Sequence, residues 1–271
     1  MRKYVCVLAT NDYLDGCLVL NENLKHINSK YGLLCLINEN IDEETRKTLD
    51  FFKIEYKETK TINYDVDYKG HIQPYYKNTF NKLSIFNLTE YEKIVYLDLD
   101  LLILENIDNL FDYDSIAMAK DYPFSDLYNS GVMVIEPNKN DYDNLIKLMK
   151  EKIKNQIQLG DQDIINEYFK TINTIPQEYN LMRLLAKWVK NNNTEKWNIR
   201  KHQIKEFDDK NLDKKILHYI MTPKPFQTNY PYDEIYSHLY TYYLCIIKEE
   251  KRKNKNIILE RKRIWKRSNI Y

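Results

Sequence analysis

The chain has 271 residues, of which 43% are apolar, and a formal net charge of +1. That is enough for one large α/β domain, or one domain with an appendage, and the near-neutral balance gives no global field that would select nucleic acid or acidic partners. Four cysteines (Cys6, Cys17, Cys35, Cys245) lack metal-type spacing and suit a reducing compartment, and no stretch approaches the roughly 20 apolar residues of a membrane helix.

Met1 to Ala9 has a basic flank, but its apolar stretch is too short for a signal-peptide core. A first strand over Tyr4–Thr10 and a cytoplasmic location are therefore expected. A loop follows at Asn11–Asp15, then helical spacing over Gly16–Lys30. The pattern continues with a strand at Leu33–Ile37, a helix at Asp42–Phe52 and a short strand at Lys53–Tyr56. This alternation is that of a parallel sheet covered on both faces. A helix over Thr79–Leu88 leads into a strand at Lys93–Leu97. Further strands are expected at Ser115–Ala119 and Gly131–Ile135, and helices at Tyr142–Lys154 and Asp161–Phe169. Glu234–Lys251 reads as a helix crowded with Tyr and Ile. Between 248 and 267 stand ten Lys/Arg against three Glu, a run that reads as a solvated helix end or a disordered tail, or else as a grip on an anionic surface or nucleic acid. Few glycines with abundant Asn, Lys, Ile and Tyr point to an AT-rich coding sequence, of a cellular host or a giant virus.

Chemistry concentrates first in Lys93-Ile-Val-Tyr-Leu-Asp-Leu-Asp-Leu-Leu-Ile-Leu104, an apolar run broken by Asp98 and Asp100. A buried unpaired carboxylate is costly, so a strand running to the sheet edge is expected to deliver both acids to one cation. Residues i and i+2 of a strand point the same way, and carboxylate oxygens favour Mg2+ or Mn2+. A second pattern, His218-Tyr-Ile-Met-Thr-Pro-Lys-Pro-Phe226, follows an apolar Ile216-Leu217. Imidazole takes Mn2+ readily and Lys224 can neutralise phosphate, although a lone histidine also serves as ordinary structure. Tyr128-Asn-Ser-Gly131 reads as a turn before a strand, with Gly131 permitting close backbone approach to a ligand. Gly160-Asp-Gln-Asp163 opens a helix. Asp161 there is a cap or a carboxylate offered, beside the Gln162 amide, to a substrate hydroxyl.

The order of these pieces resembles the glycogenin-like family of retaining glycosyltransferases (family 8) from about Tyr4 to Phe226. The pieces are Leu8-Ala-Thr-Asn-Asp-Tyr13, Lys82, Asp98-x-Asp100, Asn129-Ser-Gly131, Gly160-Asp-Gln162 and His218 to Pro225. The resemblance implies an α/β GT-A fold, a Rossmann-like mixed and mostly parallel sheet flanked by helices. It implies a transferase domain at 1–230, followed by a C-terminal helix and basic tail at 231–271. It also implies transfer of a hexose, glucose first and otherwise galactose or N-acetylglucosamine, from a UDP-sugar to a glycan or protein hydroxyl. In the family, Leu8, Thr10, Asn11 and Tyr13 would hold uracil and ribose, and Lys82 would lie near the phosphates or sugar. Asp98, Asp100 and His218 would bind Mn2+ (or Mg2+), with Leu99 between the acids. Lys224 would meet the diphosphate. Asp121, Asn129 and Ser130 would line the sugar pocket, and Asp161 and Gln162 would orient the sugar or stabilise its reacting carbon. A homodimer is a family expectation, and nucleic acid is not expected as a partner.

Three departures stand out. Met221 occupies the place of a phosphate-facing glycine, Gln158 replaces an acid, and the stretch Met182 to Arg200 after Tyr179-Asn-Leu181 contains no tyrosine, so self-priming is not expected. Two other readings compete. A dehalogenase-like phosphatase also places Asp-x-Asp after an apolar strand, but Leu101 and Leu102 replace its usual Thr or Val. A non-catalytic nucleotide-sugar module would follow if Met221 had degraded the site.

Overall fold

The structure is a computed structural model that describes residues 1–62, 76–122, 124–155, 160–182, 214–220, 223–227 and 237–268, with side chains of the last helix described to residue 253. Two sheets organise the described residues. Seven strands form the larger: β1 (Arg2–Leu8), β2 (Leu33–Ile37), β3 (Glu55–Glu58), β4 (Lys93–Leu97), β6 (Ala117–Lys120), β7 (Tyr128–Ile135) and β8 (Asn173–Thr174), in the order β3-β2-β1-β4-β7-β6-β8. The smaller joins β5 (Leu101–Ile103), β9 (Leu181–Met182) and β10 (Ile216–His218), in the order β5-β10-β9. Within the large sheet β3, β2, β1 and β4 run parallel, whereas β7 is antiparallel to both β4 and β6. Val5, Leu34, Leu36, Ile94 and Met133 pack on one face; Tyr4, Cys6, Leu8, Cys35, Val95 and Leu97 pack on the other.

The helices are α1 (Leu14–His26), α2 (Glu43–Phe51), α3 (Tyr76–Thr79), α4 (Lys139–Lys154), α5 (Asp161–Tyr168) and α6 (Ser237–Ser268). Several end for identifiable local reasons. Asn28 (φ 52°) and Lys53 (φ 55°) take the left-handed conformation just past α1 and α2. There Ser29 N–H returns to Leu24 and Ile54 N–H to Leu49. The Lys53 cap therefore starts β3 at Glu55, two residues later than expected. Asp42 and Asn138 cap α2 and α4 by accepting from the next turn's amides.

Elsewhere the structure departs from the helix and strand expectations. Thr79–Leu88 is mostly a 3-10 helix (Phe80–Asn87), in which every residue from Phe80 to Phe86 is buried rather than one stripe in four. Tyr128 to Ser130 belong to β7 and not to a turn before it. The C-terminal helix continues to Ser268 and is not a disordered tail. Its first turns are core, since Tyr240, Tyr243, Leu244 and Ile247 are buried with α1 and Tyr219. No helix among the described residues is long and apolar enough to cross a membrane.

Candidate active site

Three acceptor groups meet where the two sheets touch. β4 ends at Leu97, Asp98 to Asp100 form a turn, and Leu101 opens β5 in the other sheet. The two acids are thus paired by a turn and not by the i, i+2 alternation of one strand. β10 lies antiparallel to β5 with His218 opposite Leu101, and the Tyr219 amide donates to the Asp100 carbonyl at 3.0 Å. One ladder therefore sets His218 beside Asp100. The His218 Nε2 lies 3.2 Å from Asp100 Oδ1 and 3.7 Å from Asp98 Oδ2. One ligand atom from each of the three residues falls within 4.8 Å of the others. Two hard carboxylates and one imidazole on a gap of that size fit a small divalent cation.

Two lysines flank these acids, Lys224 beside Asp100 and Lys82 beside Asp98. Lys224 Nζ donates to Asp100 Oδ2 (2.5 Å) and to the Tyr219 carbonyl (2.8 Å). Burial pushes the Asp100 carboxyl up, but Lys224 and His218 outweigh it and hold the group well below the usual carboxylate range. Asp98 behaves oppositely. Burial and the nearby Asp100 raise its pKa above the ordinary value, despite Lys82 and His218. Its Oδ1 accepts from the Tyr96 hydroxyl (2.5 Å) and pairs with Lys82 (3.1 Å), and its Oδ2 accepts from Lys82 at 3.4 Å while also facing His218 Nε2.

Lys82, buried on the 3-10 helix, connects this cluster to α5. Its Nζ lies 2.8 Å from Asp161 Oδ2 and 3.1 Å from Ser130 Oγ, and Ser130 Oγ donates to the same Asp161 oxygen at 2.8 Å. Burial lowers the ammonium pKa, yet Asp161 and Asp98 more than restore it, so Lys82 is charged. Gln162 Oε1 accepts from Asn129 Nδ2 (3.1 Å) and from the Ser130 amide (3.3 Å). Asp121 accepts from Asn129 Nδ2 at 3.0 Å. Asp98, Asp100, Asp121, Asn129, Ser130, Asp161, Gln162, His218, Lys82 and Lys224 thus form one connected site.

Of the residues at the end of β1 and after it, Tyr13 reaches toward this site. Leu8 is buried at the strand end, and Thr10 opens the 3-10 turn Asn11–Tyr13. Asn11 Oδ1 accepts from the Asp42 amide, tying this turn to α2. The Tyr13 ring meets Phe226 edge-on at 5.2 Å, and its phenol senses Lys224, Asp100 and Asp98 electrostatically. Leu99 is buried, with its carbonyl packed on Gly16. Met221 lies outside the described residues, as do Gln158 and residues 183–200.

Gly131 has a different use from the one its sequence context promised. The space of its missing Cβ is taken by the His218 ring, whose Nδ1 would stand 2.7 Å from that atom, and not left open to a ligand. Sequence reasoning also passed over Tyr96 and Asn180. Tyr96 showed only as one hydroxyl in an apolar run, and Asn180 as a landmark in Tyr-Asn-Leu. Cys6, Cys17 and Cys35 converge as well. Their spacing gave no sign of this; β1, α1 and β2 bring them together as fully buried core side chains.

A twisted, mostly parallel sheet with acids at the end of a central strand is the arrangement of a GT-A glycosyltransferase. GlyE of Streptococcus pneumoniae TIGR4 superposes with a TM-score of 0.65 at 22% identity, covering 94% of this chain and 65% of that one. An active-site mutant of LgtC superposes at 0.63 with 17% identity, covering 90% and 95%. Residues 4–229 match glycosyl transferase family 8, and the chain belongs to that family. Among relatives, human glycogenin-1 is 34% identical over 64% of this chain and 52% of its own length. Rabbit (Oryctolagus cuniculus) glycogenin-1 is 30% identical over 83% and 65%. Galactinol synthase 6 of Arabidopsis thaliana is 30% identical over 67% and 64%. The chain thus spans between half and two thirds of the length of these curated relatives.

Proposed function

We propose that the chain is a Mn2+-dependent, retaining hexosyltransferase that moves glucose from UDP-glucose to a glycan or protein hydroxyl. The convergence of Asp98, Asp100 and His218 on one cation-sized gap, inside a family 8 fold, carries this reading. A bound divalent ion would supply Lewis-acid stabilisation of the departing diphosphate. Lys224, already directed at Asp100, would add a fixed positive charge to the same leaving group. Tyr13 and the turn after β1 would hold the base and ribose. Asp121, Asn129 and Ser130 would line the hexose pocket, and Met221 would stand where the family's glycine meets phosphate.

Breaking the sugar–phosphate bond builds positive charge at the anomeric carbon, so Asp161 and Gln162 are placed to stabilise it. Lys82 and Ser130 both engage one oxygen of Asp161, which draws charge away from the carboxylate and weakens it as a nucleophile. That supports front-face attack of the acceptor as the diphosphate leaves, with Asp161 acting through its charge. The test is UDP release from a panel of UDP-sugars with Mn2+, comparing wild type with the Asp98→Ala, Asp100→Ala double variant. Mn2+-dependent release that is greatest with UDP-glucose and lost in the variant is expected, and equal turnover in the variant overturns the proposal. Binding of UDP and Mn2+ without release from any sugar overturns it in favour of a binding module.

A further inference from the structure

A chain of hydrogen bonds behind His218 has its direction fixed at both ends. The Gly131 amide can only donate, so the Asn129 atom 2.8 Å from it is Oδ1. Asp121, a carboxylate, accepts from the other end of the same Asn129 amide, which agrees. The Asn180 atom 2.8 Å from Asn129 Oδ1 must then be Nδ2, and the Asn180 Oδ1 turns to His218 Nδ1 at 2.9 Å. An oxygen there can only accept, so Nδ1 carries a proton. With Nδ1 committed to Asn180, Nε2 is the ring atom that faces the gap between Asp98 and Asp100.

Asn180 is fully buried and stands directly before β9, whose Leu181 pairs with Leu217 of β10. The small sheet therefore positions the ring, by the β10 ladder, and also the amide that selects its tautomer. Asn129, at the other end of the chain, reaches Gln162. We propose that Asn180, oriented by Asn129 and the Gly131 amide, is a positioning residue that holds His218 as the Nδ1–H tautomer and so presents Nε2 to the cation. The same relay connects the cation ligand to the hexose pocket through Asn129. This rests on the metal-binding part of the proposed function.

Two measurements test it. In the metal-free wild type at alkaline pH, 15N chemical shifts of the His218 ring, assigned by loss of its signals in His218→Gln, report the proton position without any variant at Asn180. A protonated Nδ1 supports the relay, and an unprotonated Nδ1 overturns it. Mn2+ affinity, read by electron paramagnetic resonance, is then compared for wild type, Asn180→Ala, His218→Ala and the double variant. Loss of such a supporting partner weakens metal binding by about 10–100-fold. Asn180→Ala is expected to show that loss when His218 is present and almost none when it is absent. An equal loss on both backgrounds, or none on either, overturns the relay. Absence of Mn2+ binding in the wild type overturns instead the metal reading beneath it, while the 15N result still judges the tautomer.

Discussion

Replacing Gly131 with alanine tests how tightly the site is built. The added Cβ would stand 2.7 Å from His218 Nδ1, closer still to Cε1, and 2.9 Å from Asn129 Oδ1. Nδ1 must retreat by about 0.7 Å to reach the 3.4 Å of ordinary contact, and Cε1 further. The ring cannot swing aside freely, because β10 fixes its backbone and Asn180 holds Nδ1. Metal–ligand distances tolerate only about 0.2 Å, so Nε2 would leave coordination range or drag Asp100 with it. Mn2+ affinity should fall at least about 10-fold, close to the loss of a supporting partner, and overpacking should lower stability by about 1–3 kcal/mol. Calorimetric titration with Mn2+, run beside thermal unfolding, separates the two effects. A folded Gly131→Ala protein that binds Mn2+ as tightly as wild type would refute the claim that His218 packs into the glycine's place as a ligand.

Three further outcomes follow from other parts of the molecule. Gly16→Ala would press a Cβ onto the Leu99 carbonyl and to 2.9 Å from Phe226 Cε1; it should cost about 1–3 kcal/mol in denaturant unfolding and weaken Mn2+ binding by shifting the turn between the acids. Asp108 is raised by partial burial but held below its ordinary pKa by the Lys30 amide and the Ser29 and Tyr4 hydroxyls. Its stabilisation is therefore present above the unfolded value of 3.8 and lost as pH falls through the lower folded one. The stability gap to Asp108→Asn, about 1–2 kcal/mol after allowance for screening, should hold from pH 7 to 5 and close toward pH 2; a gap that widens on acidification contradicts the assignment. Lys53→Gly removes a Cβ from a left-handed backbone position and should raise the thermal midpoint slightly, by the equivalent of about 0.5 kcal/mol; a fall would show that the lysine side chain contributes there.

The sequence revealed most where residue type and period coincide. β2 and β4 fall at their expected bounds, because runs such as Leu33–Ile37 are apolar throughout, as strands covered on both faces must be. Asp98 and Asp100 were legible because carboxylates interrupt such a run, and His218 and Lys224 because they follow another one. Geometry set by distant pairing was not legible. That Asp100 and His218 are neighbours depends on the β5–β10 ladder, a pairing of three-residue strands with no periodicity to read. The 3-10 helix was hidden because consecutive burial of Phe80 to Phe86 and an amphipathic α-helix draw on the same residue types. Asn180 carried no signal of its own, since an amide's role in a buried relay depends on what lies at both of its ends.

The ladder beneath the acids and the imidazole also bears on how this architecture diversifies. Asp100 and His218 are far apart along the polypeptide yet adjacent across two antiparallel strands, so their separation is set by interstrand spacing and not by the length of chain joining them. Insertions or deletions between those strands leave the Asp100–His218 spacing intact so long as the pairing register survives and Asn129, Gly131 and Asn180 keep their places behind the ring. Chain length outside those supports can then vary without moving the carboxylate and the imidazole relative to each other.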